Sequence, residues 1–437
     1  MSGLTYGYIH LFDTVSEYEE SRNNNYYEPW VSYIEENGAI NYNKTEYEKL
    51  LETPLTFEIT SDGNIVWKAQ HTAYTKTIEY KKNDGEWTVI TSNTGASAPS
   101  ISVVSGDTVQ FRGDNAAYGN SRYNYFSGTT CGFKVKGNIM SLIDSTGFTT
   151  ATTLASSFTF QYLFRYCTGL TDASDLVLPA TTLTEGCYSS MFYNCTSLTS
   201  APELPATTLA NSCYGAMFRD CVYLTTAPSI LPATTLATQC YASMFYGCTS
   251  LTTAPELPAT TLATQCYWAM FYGCTSLTTA PELPATTLAS KCYQSMFYGC
   301  YNLTTAPALP ATTLTENCYI GMFESCSSLT TAPALPATTM SESAYTSMFA
   351  GCTSLTTAPE LPATTLANSC YKWMFNGCTS LNYIKCLATN ISASQCTTDW
   401  VLGVQTSSGT FVKNPNMSSW TTDTSGIPTN WTVQDAS

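Results

Sequence analysis

From Thr159 to Val404 the apolar residues recur on one frame, clearest at Cys240–Leu251 as C-Y-x-x-M-F-x-x-C-x-x-L. The leading Cys returns at 187, 213, 240, 266, 292, 318, 370 and 396, and Ala344 fills the gap. The step is 26 residues, and 27 where Ile230 is inserted after Ser229. A degenerate copy starts at Thr159 and carries Phe164 and Cys167. Offsets 0, 1, 4, 5, 8 and 11 hold Cys, Tyr, Met, Phe, Cys and Leu, which predicts one apolar face of a helical turn or two. The following T-T-A-P-E-L-P and A-T-T-L read as a short extended segment and a turn. One such unit cannot bury its apolar stripe alone, so neighbours must stack into a solenoid. If adjacent coils pair as parallel strands, about ten coils at roughly 4.8 Å make a rod of roughly 45 Å. The two prolines of A-P-E-L-P remove ladder donors, which predicts strands of only two or three residues around the Glu.

Upstream, the pattern changes to alternation. Leu55–Ile59 with Ile65–Trp67, Thr77–Tyr80 with Trp87–Ile90, and Ile101–Val104 with Val109–Phe111 each predict a hairpin, and Phe133–Val135 closes the set. Short strands at this spacing suggest an immunoglobulin-like or fibronectin-like β-sandwich. The first fifty residues are acidic and tyrosine-rich with turn signals at Asn23–Asn25, Pro29 and Asn37-Gly38. They read as an arm, with Tyr26, Tyr27 and Trp30 as attachment anchors. After Val404 the period is lost, and Trp420, Ile427, Pro428 and Trp431 predict a cap over the last coil. The expected organisation is α+β: an arm at 1–52, a sandwich at 53–145, a solenoid at 146–404 and a cap at 405–437.

The repeat resembles the BspA-like leucine-rich repeats of bacterial surface proteins, relatives of the Treponema-type repeat. The residues that carry the resemblance are Leu251–Pro258 (L-x-x-A-P-x-L-P) and Cys240–Cys248 (C-Y-x-x-M-F-x-x-C). It covers about residues 155–404 and implies a right-handed solenoid used for adhesion or recognition rather than catalysis. More loosely, residues 55–140 look like the β-domain that precedes these repeats in proteins of gut Bacteroidales and their phages.

Composition narrows the functions. A formal charge of −15 argues against nucleic acid or an anionic membrane surface as partner. No apolar run is long enough to span a bilayer. The N-terminal stretch lacks the basic and apolar regions of a secretory signal, so either a signal has been trimmed or the protein is exposed without secretion, as a virion protein released by lysis would be. The nineteen cysteines are expected as two ladders of small buried hydrophobes, not disulfides. Cys352 persists opposite Ala344 and Cys167 opposite Thr159, which bonded pairs would not do. With two His residues and no zinc-type spacing, no metal or cofactor is expected. His10 and His71 have no nucleophile motif near them. Glu203, Glu256, Glu282 and Glu360 form a row shared with Ala308 and Ala334. A uniform row does not supply two carboxylates of different pKa, so no catalytic residue is expected. It reads as a solvated stripe, with weak calcium capture as the alternative.

Recognition remains. Tyr246, Tyr272 and Tyr298 occupy the sixth place after the leading Cys on consecutive coils, and Trp268 lies four residues before Tyr272. With Lys372 and Trp373 they are the candidate ligand-binding residues, suited to sugar rings or an amphipathic protein surface. The opposing reading is that the tyrosines brace the rod. The expected function is non-enzymatic: a phage virion fibre or decoration protein that binds a bacterial surface glycan or protein. Its N-terminal region would contact other virion subunits, with no nucleic acid and no membrane insertion. The alternatives are a bacterial cell-surface adhesin, a purely architectural virion protein and, last, a glycan-degrading enzyme.

Overall fold

The computed structural model describes residues 46–120, 122–404 and 407–437, and upstream the backbone of four short strands. Those strands are β1 (Thr5–Tyr6), β2 (Ile9–His10), β3 (Ile34–Glu36) and β4 (Ala39–Asn41), paired antiparallel as β1–β2 and β3–β4. The expected anchors Tyr26, Tyr27 and Trp30 lie outside the described residues. Helix α1 (Glu46–Glu52) then leads into β5 (Leu55–Ile59), β6 (Gly63–Val66), β7 (Lys68–Ala69), β8 (Thr77–Lys82) and β9 (Thr88–Thr91). There follow β10 (Ser100–Val103), β11 (Thr108–Arg112), β12 (Asn124–Tyr125), β13 (Phe133–Asn138) and β14 (Leu170–Val177).

Six of these make one mixed sheet in the order β14-β13-β5-β11-β8-β9, and β10-β6 and β12-β7 form two further pairs. Of the three predicted hairpins only β8–β9 exists. At the other two turns the chain leaves the six-stranded sheet: β5 pairs with β11 and β13, while β6 pairs with β10. The two turns meet at one end of β5 and β11, where the Ile59 amide donates to Asp107 and the Gly106 amide to Ile59. Alternation along each strand reports burial of one face, and it does not choose the partner strand. The junction is not a break. Strand β14 belongs to the first coils yet pairs in parallel with β13. Phe57, Phe111, Phe126 and Phe133 pack together and Phe126 stacks on Phe164, so one apolar core runs from sheet to solenoid.

The repeated C-Y-x-x-M-F-x-x-C stretch is not helical. At Tyr241–Gly247 every second amide donates to the next coil: Tyr241 to Cys266, Ser243 to Trp268, Phe245 to Met270 and Gly247 to Tyr272. The amides between them close four-residue turns, Ala242 to Gln239, Met244 to Tyr241 and Tyr246 to Ser243. A backbone that bonds forward and sideways in alternation needs a left-handed residue every fourth place. Gln239, Ser243 and Gly247 have φ of 56°, 53° and 72°. The equivalent sites along the rod are Gly, Ser, Ala, Asn, Asp, Gln or Lys, with Trp373 (φ 57°) the departure after the first coil. L-residues larger than glycine meet a steric penalty there, least for small or hydrogen-bonding side chains. Gly186 has a second reason to be glycine, since a Cβ would lie 2.4 Å from the Phe158 ring.

This winding stacks like on like. Tyr118, Phe160, Tyr188, Tyr214 and their successors form one ring ladder to Tyr371, and Phe164, Phe192, Phe218 and theirs a second to Phe375. Trp400 closes both. The strands expected around the Glu positions are replaced mostly by single bridges between threonines, such as Thr235 with Thr261 and Thr279 with Thr305. The flanking prolines remove the donors a longer ladder would need. At the far end β15 (Tyr383–Cys386), β16 (Thr410–Lys413) and β17 (Thr432–Asp435) pair in parallel, so the tail carries the stacking onward despite its lost sequence period. Trp420 stacks on Trp400, and Ile427 and Trp431 are buried.

All nineteen cysteines are buried and none forms a disulfide. The second Cys of each pair has a task beyond filling space. Its thiol donates to the carbonyl of the ladder Phe one coil back: Cys195 to Phe164, Cys274 to Phe245, Cys352 to Phe323. That explains why Cys352 and Cys167 persist where the first position is Ala344 or Thr159, since Cys167 donates to Phe126. Each ladder Phe carbonyl also accepts the amide of its own coil's second Cys, as Phe245 does from Cys248, so the thiol adds a second hydrogen bond, worth about 0.5–1.5 kcal/mol. Accordingly Cys274→Ala should lower stability by about 1 kcal/mol more than Cys266→Ala, measured by denaturant unfolding. Equal losses at the two sites would contradict this role for the second thiol.

Candidate functional site

On the turn-built side of the solenoid, the sixth place of each coil holds Arg165, Tyr193, Arg219, Tyr246, Tyr272, Tyr298, Glu324, Ala350, Asn376 and Leu402. The winding sets these one above the next, half-buried as far as Asn376, with Leu402 exposed. Tyr246 and Tyr272 stack with centroids 4.5 Å apart and planes 6° from parallel, and Tyr272 and Tyr298 at 4.4 Å and 4°. Arg219 covers the next face, 4.2 Å from the Tyr246 centroid. The ring faces are therefore turned toward one another, and the row meets solvent with ring edges and hydroxyls. Desolvation, with the Tyr298 and Tyr246 phenols alongside, pushes the Tyr272 phenol up to about 12.

Trp268 is half-buried between Ala242 and Gln294 of the neighbouring coils. Among the described residues no ring contact joins it to the tyrosines. Lys372 and Trp373 form a separate patch three coils beyond Tyr298. The Lys372 ammonium sits 4.3 Å from the Trp373 centroid and donates to Gln395 Oε1 at 2.7 Å. Trp373 is exposed, in the left-handed backbone that the other coils after the first give to small or polar residues.

The remaining candidates have ordinary partners. His71 Nδ1 accepts from the Ala73 amide at the start of a short turn. Glu203 accepts from the Ser229 amide and hydroxyl while burial raises its pKa, and Glu360 pairs with Lys385 at 3.0 Å. Among the described residues no group of three or more His, Cys, Asp and Glu is placed to hold a metal ion, and no helix is long and apolar enough to cross a membrane.

The sequence reading missed a cluster at the head of the row. Gln70, Asn120, Tyr123, Phe158, Gln161, Tyr162 and Arg165 line an open groove of about 520 Å³ where the first coil meets the β12–β7 pair. The Arg165 guanidinium lies 4.9 Å from the Tyr162 ring, 4.6 Å from Tyr166 and 5.0 Å from Tyr193. The available signal was aromatic residues at 158, 162 and 166, sites where later coils carry small or polar ones.

Tyr272 gives a pH test. The fold holds this phenol neutral, so its contribution to stability is complete below its ordinary value of 10.0 and is lost as pH rises toward about 12. Difference absorbance at 295 nm between the parent and Tyr272→Phe should show one phenol ionising near 12. Ionisation near 10 would mean that neither desolvation nor the adjoining phenols hold this proton.

In comparisons with known proteins, the model of the BspA type leucine rich repeat region matches in six copies, over residues 150–270 and 238–382. No curated protein matches. Among solved structures, a leucine-rich repeat protein from Bacteroides ovatus ATCC 8483, a crystal structure at 1.19 Å resolution, aligns at 16% identity over 63% of this chain and 86% of its own, with a TM-score of 0.25. The family model spans more than half of the sequence, and the chain belongs to the BspA-type leucine-rich repeat family.

Proposed function

We propose that the protein is a non-enzymatic surface-recognition protein in which a rigid solenoid presents the varying edge residues to a bacterial surface glycan or protein. One observation carries this reading. Between coils the interior is nearly constant, while the sixth place ranges through Arg, Tyr, Glu, Ala, Asn and Leu on an accessible edge. A purely mechanical row would have no need of such variety. We read the rod as about ten right-handed coils and the upstream strands as an immunoglobulin-like sandwich. The favoured setting is a virion surface, with the N-terminal region contacting other subunits through Tyr26, Tyr27 and Trp30. It rests on the resemblance of the upstream domain to those preceding such repeats in phage proteins. The second reading, a bacterial cell-surface adhesin, is favoured by the family itself.

The test is binding of fluorescently labelled protein to capsulated and acapsular cells of candidate Bacteroidales hosts. Capsule-dependent binding is expected. Replacing Tyr246, Tyr272 and Tyr298 together by Ala should reduce it at least fivefold while cooperative melting persists. Undiminished binding by that folded variant would remove the tyrosine row from the site.

A further inference from the structure

The groove at the head of the solenoid combines three features. The first is its backbone. Phe158 and Tyr162 adopt φ of 57° and 64°, and Asn120 on the facing wall adopts 130°. Bulky aromatic residues are outliers in this region, and strained conformations of this kind gather at functional sites. Later coils put residues such as Gly186, Ser212, Ser190 and Ala216 at the same turns. The first coil thus departs from its own repeat, at a steric cost, to set two rings into the groove.

The second feature is charge. The Arg165 guanidinium is half-buried, and among the described residues it has no carboxylate partner, in a chain of net charge −15. By contrast Arg112 is paired with Glu79 and Arg219 with Asp220. Arg165 Nη1 donates to Tyr123 Oη at 2.7 Å and Nη2 to Tyr166 Oη at 3.1 Å, which fixes the plane of the fork. Its Nε is buried without a partner. Of the five N–H donors two are used and the Nε–H is buried, which leaves one on each terminal nitrogen for a planar anion.

The third is the lining. Tyr123 and Tyr162 meet at 4.4 Å with planes 46° apart, a tilted aromatic corner. Gln70 and Gln161 bring side-chain amides from opposite walls, and Gln161 Oε1 is already accepting from the Asn120 amide. The volume falls within the roughly 300–1,000 Å³ of small-molecule sites. Aromatic faces bind the apolar faces of sugar rings, amides pair with hydroxyls, and a fixed guanidinium pairs with carboxylate.

We propose that this groove binds a carboxylate-bearing sugar, with the carboxylate on Arg165, the ring against Tyr123 and Tyr162, and hydroxyls on Gln70 and Gln161. The assignment deepens the recognition reading, and rests on it, by naming an acidic saccharide as the ligand class. Free acid sugars and the ends of acidic surface glycans share this chemistry.

The test is calorimetric titration of the full chain with oligogalacturonate, with sialyllactose, and with their carboxyl-reduced counterparts. At least one acidic probe should bind at least tenfold tighter than its reduced form. Arg165→Gln should erase that difference. Gln70→Ala removes an exposed side chain, and should weaken binding about threefold with unchanged melting. Tyr162→Gly suits the left-handed backbone and should weaken binding of acidic and reduced forms alike. Equal binding of acidic and reduced sugars, or no binding of either acidic probe, would overturn the assignment. Unchanged affinity in both Arg165→Gln and Tyr162→Gly would overturn it too. The two readings fail separately. If neither acidic probe binds while the parent and Arg165→Gln label cells equally, the groove assignment falls and surface recognition stands. If the probes bind and no cell is labelled, the groove assignment holds and surface recognition falls.

Discussion

The structure depends on a backbone that bonds alternately to itself and to the next coil. Each second amide of the turn-built side reaches a carbonyl of the following coil, as Phe245 does to Met270. The amides between close tight turns within their own coil. Both sets of donors are satisfied without a helix and without a long strand, which a segment flanked by prolines could not extend. The same geometry fixes the left-handed residues four apart. It also brings identical side chains into register, and the carbonyl of a ladder Phe, which accepts an amide of its own coil, takes a second hydrogen bond from the cysteine thiol of the next coil.

A frame of this kind separates stability from recognition. Inward positions are locked by contact with their own copies above and below, so Tyr, Met, Phe and Cys scarcely vary. Outward positions touch only their neighbours on the same edge, and a change there is absorbed locally. The two ends are where the arrangement must be closed. Strand β14 joins the first coils to the six-stranded sheet, and Trp400 with Trp420 closes the far end. The first coil therefore faces a different surface from every other, and its aromatic turn residues, with Arg165, meet the upstream domain there.

Much of this was legible in the chain. The period, the buried set and the burial of the cysteines follow from repetition, because a position that never changes across stacked copies is in contact with those copies. The turn structure was legible in part and misread. Offsets 0, 1, 4, 5 and 8 fit a period of four better than 3.6, and after the first coil the intervening sites at offsets 3 and 7 are confined to small or polar residues apart from Trp373. The strand pairings were not legible, since alternation along Leu55–Ile59 is the same whether its partner is β6 or β11. The groove was least legible. Gln70, Tyr123 and Arg165 are far apart in sequence, and only the docking of the first coil on the sheet brings them together.

The most direct test of the stacking account is removal of one complete coil. Deleting residues 266–291 joins Gln265 to Cys292 and preserves every left-handed position and both ring ladders. The account predicts a folded protein with one cooperative thermal transition a few degrees lower and its thiols still inaccessible to an aqueous thiol reagent. A broad, non-cooperative transition with thiols reactive in the native state would contradict it.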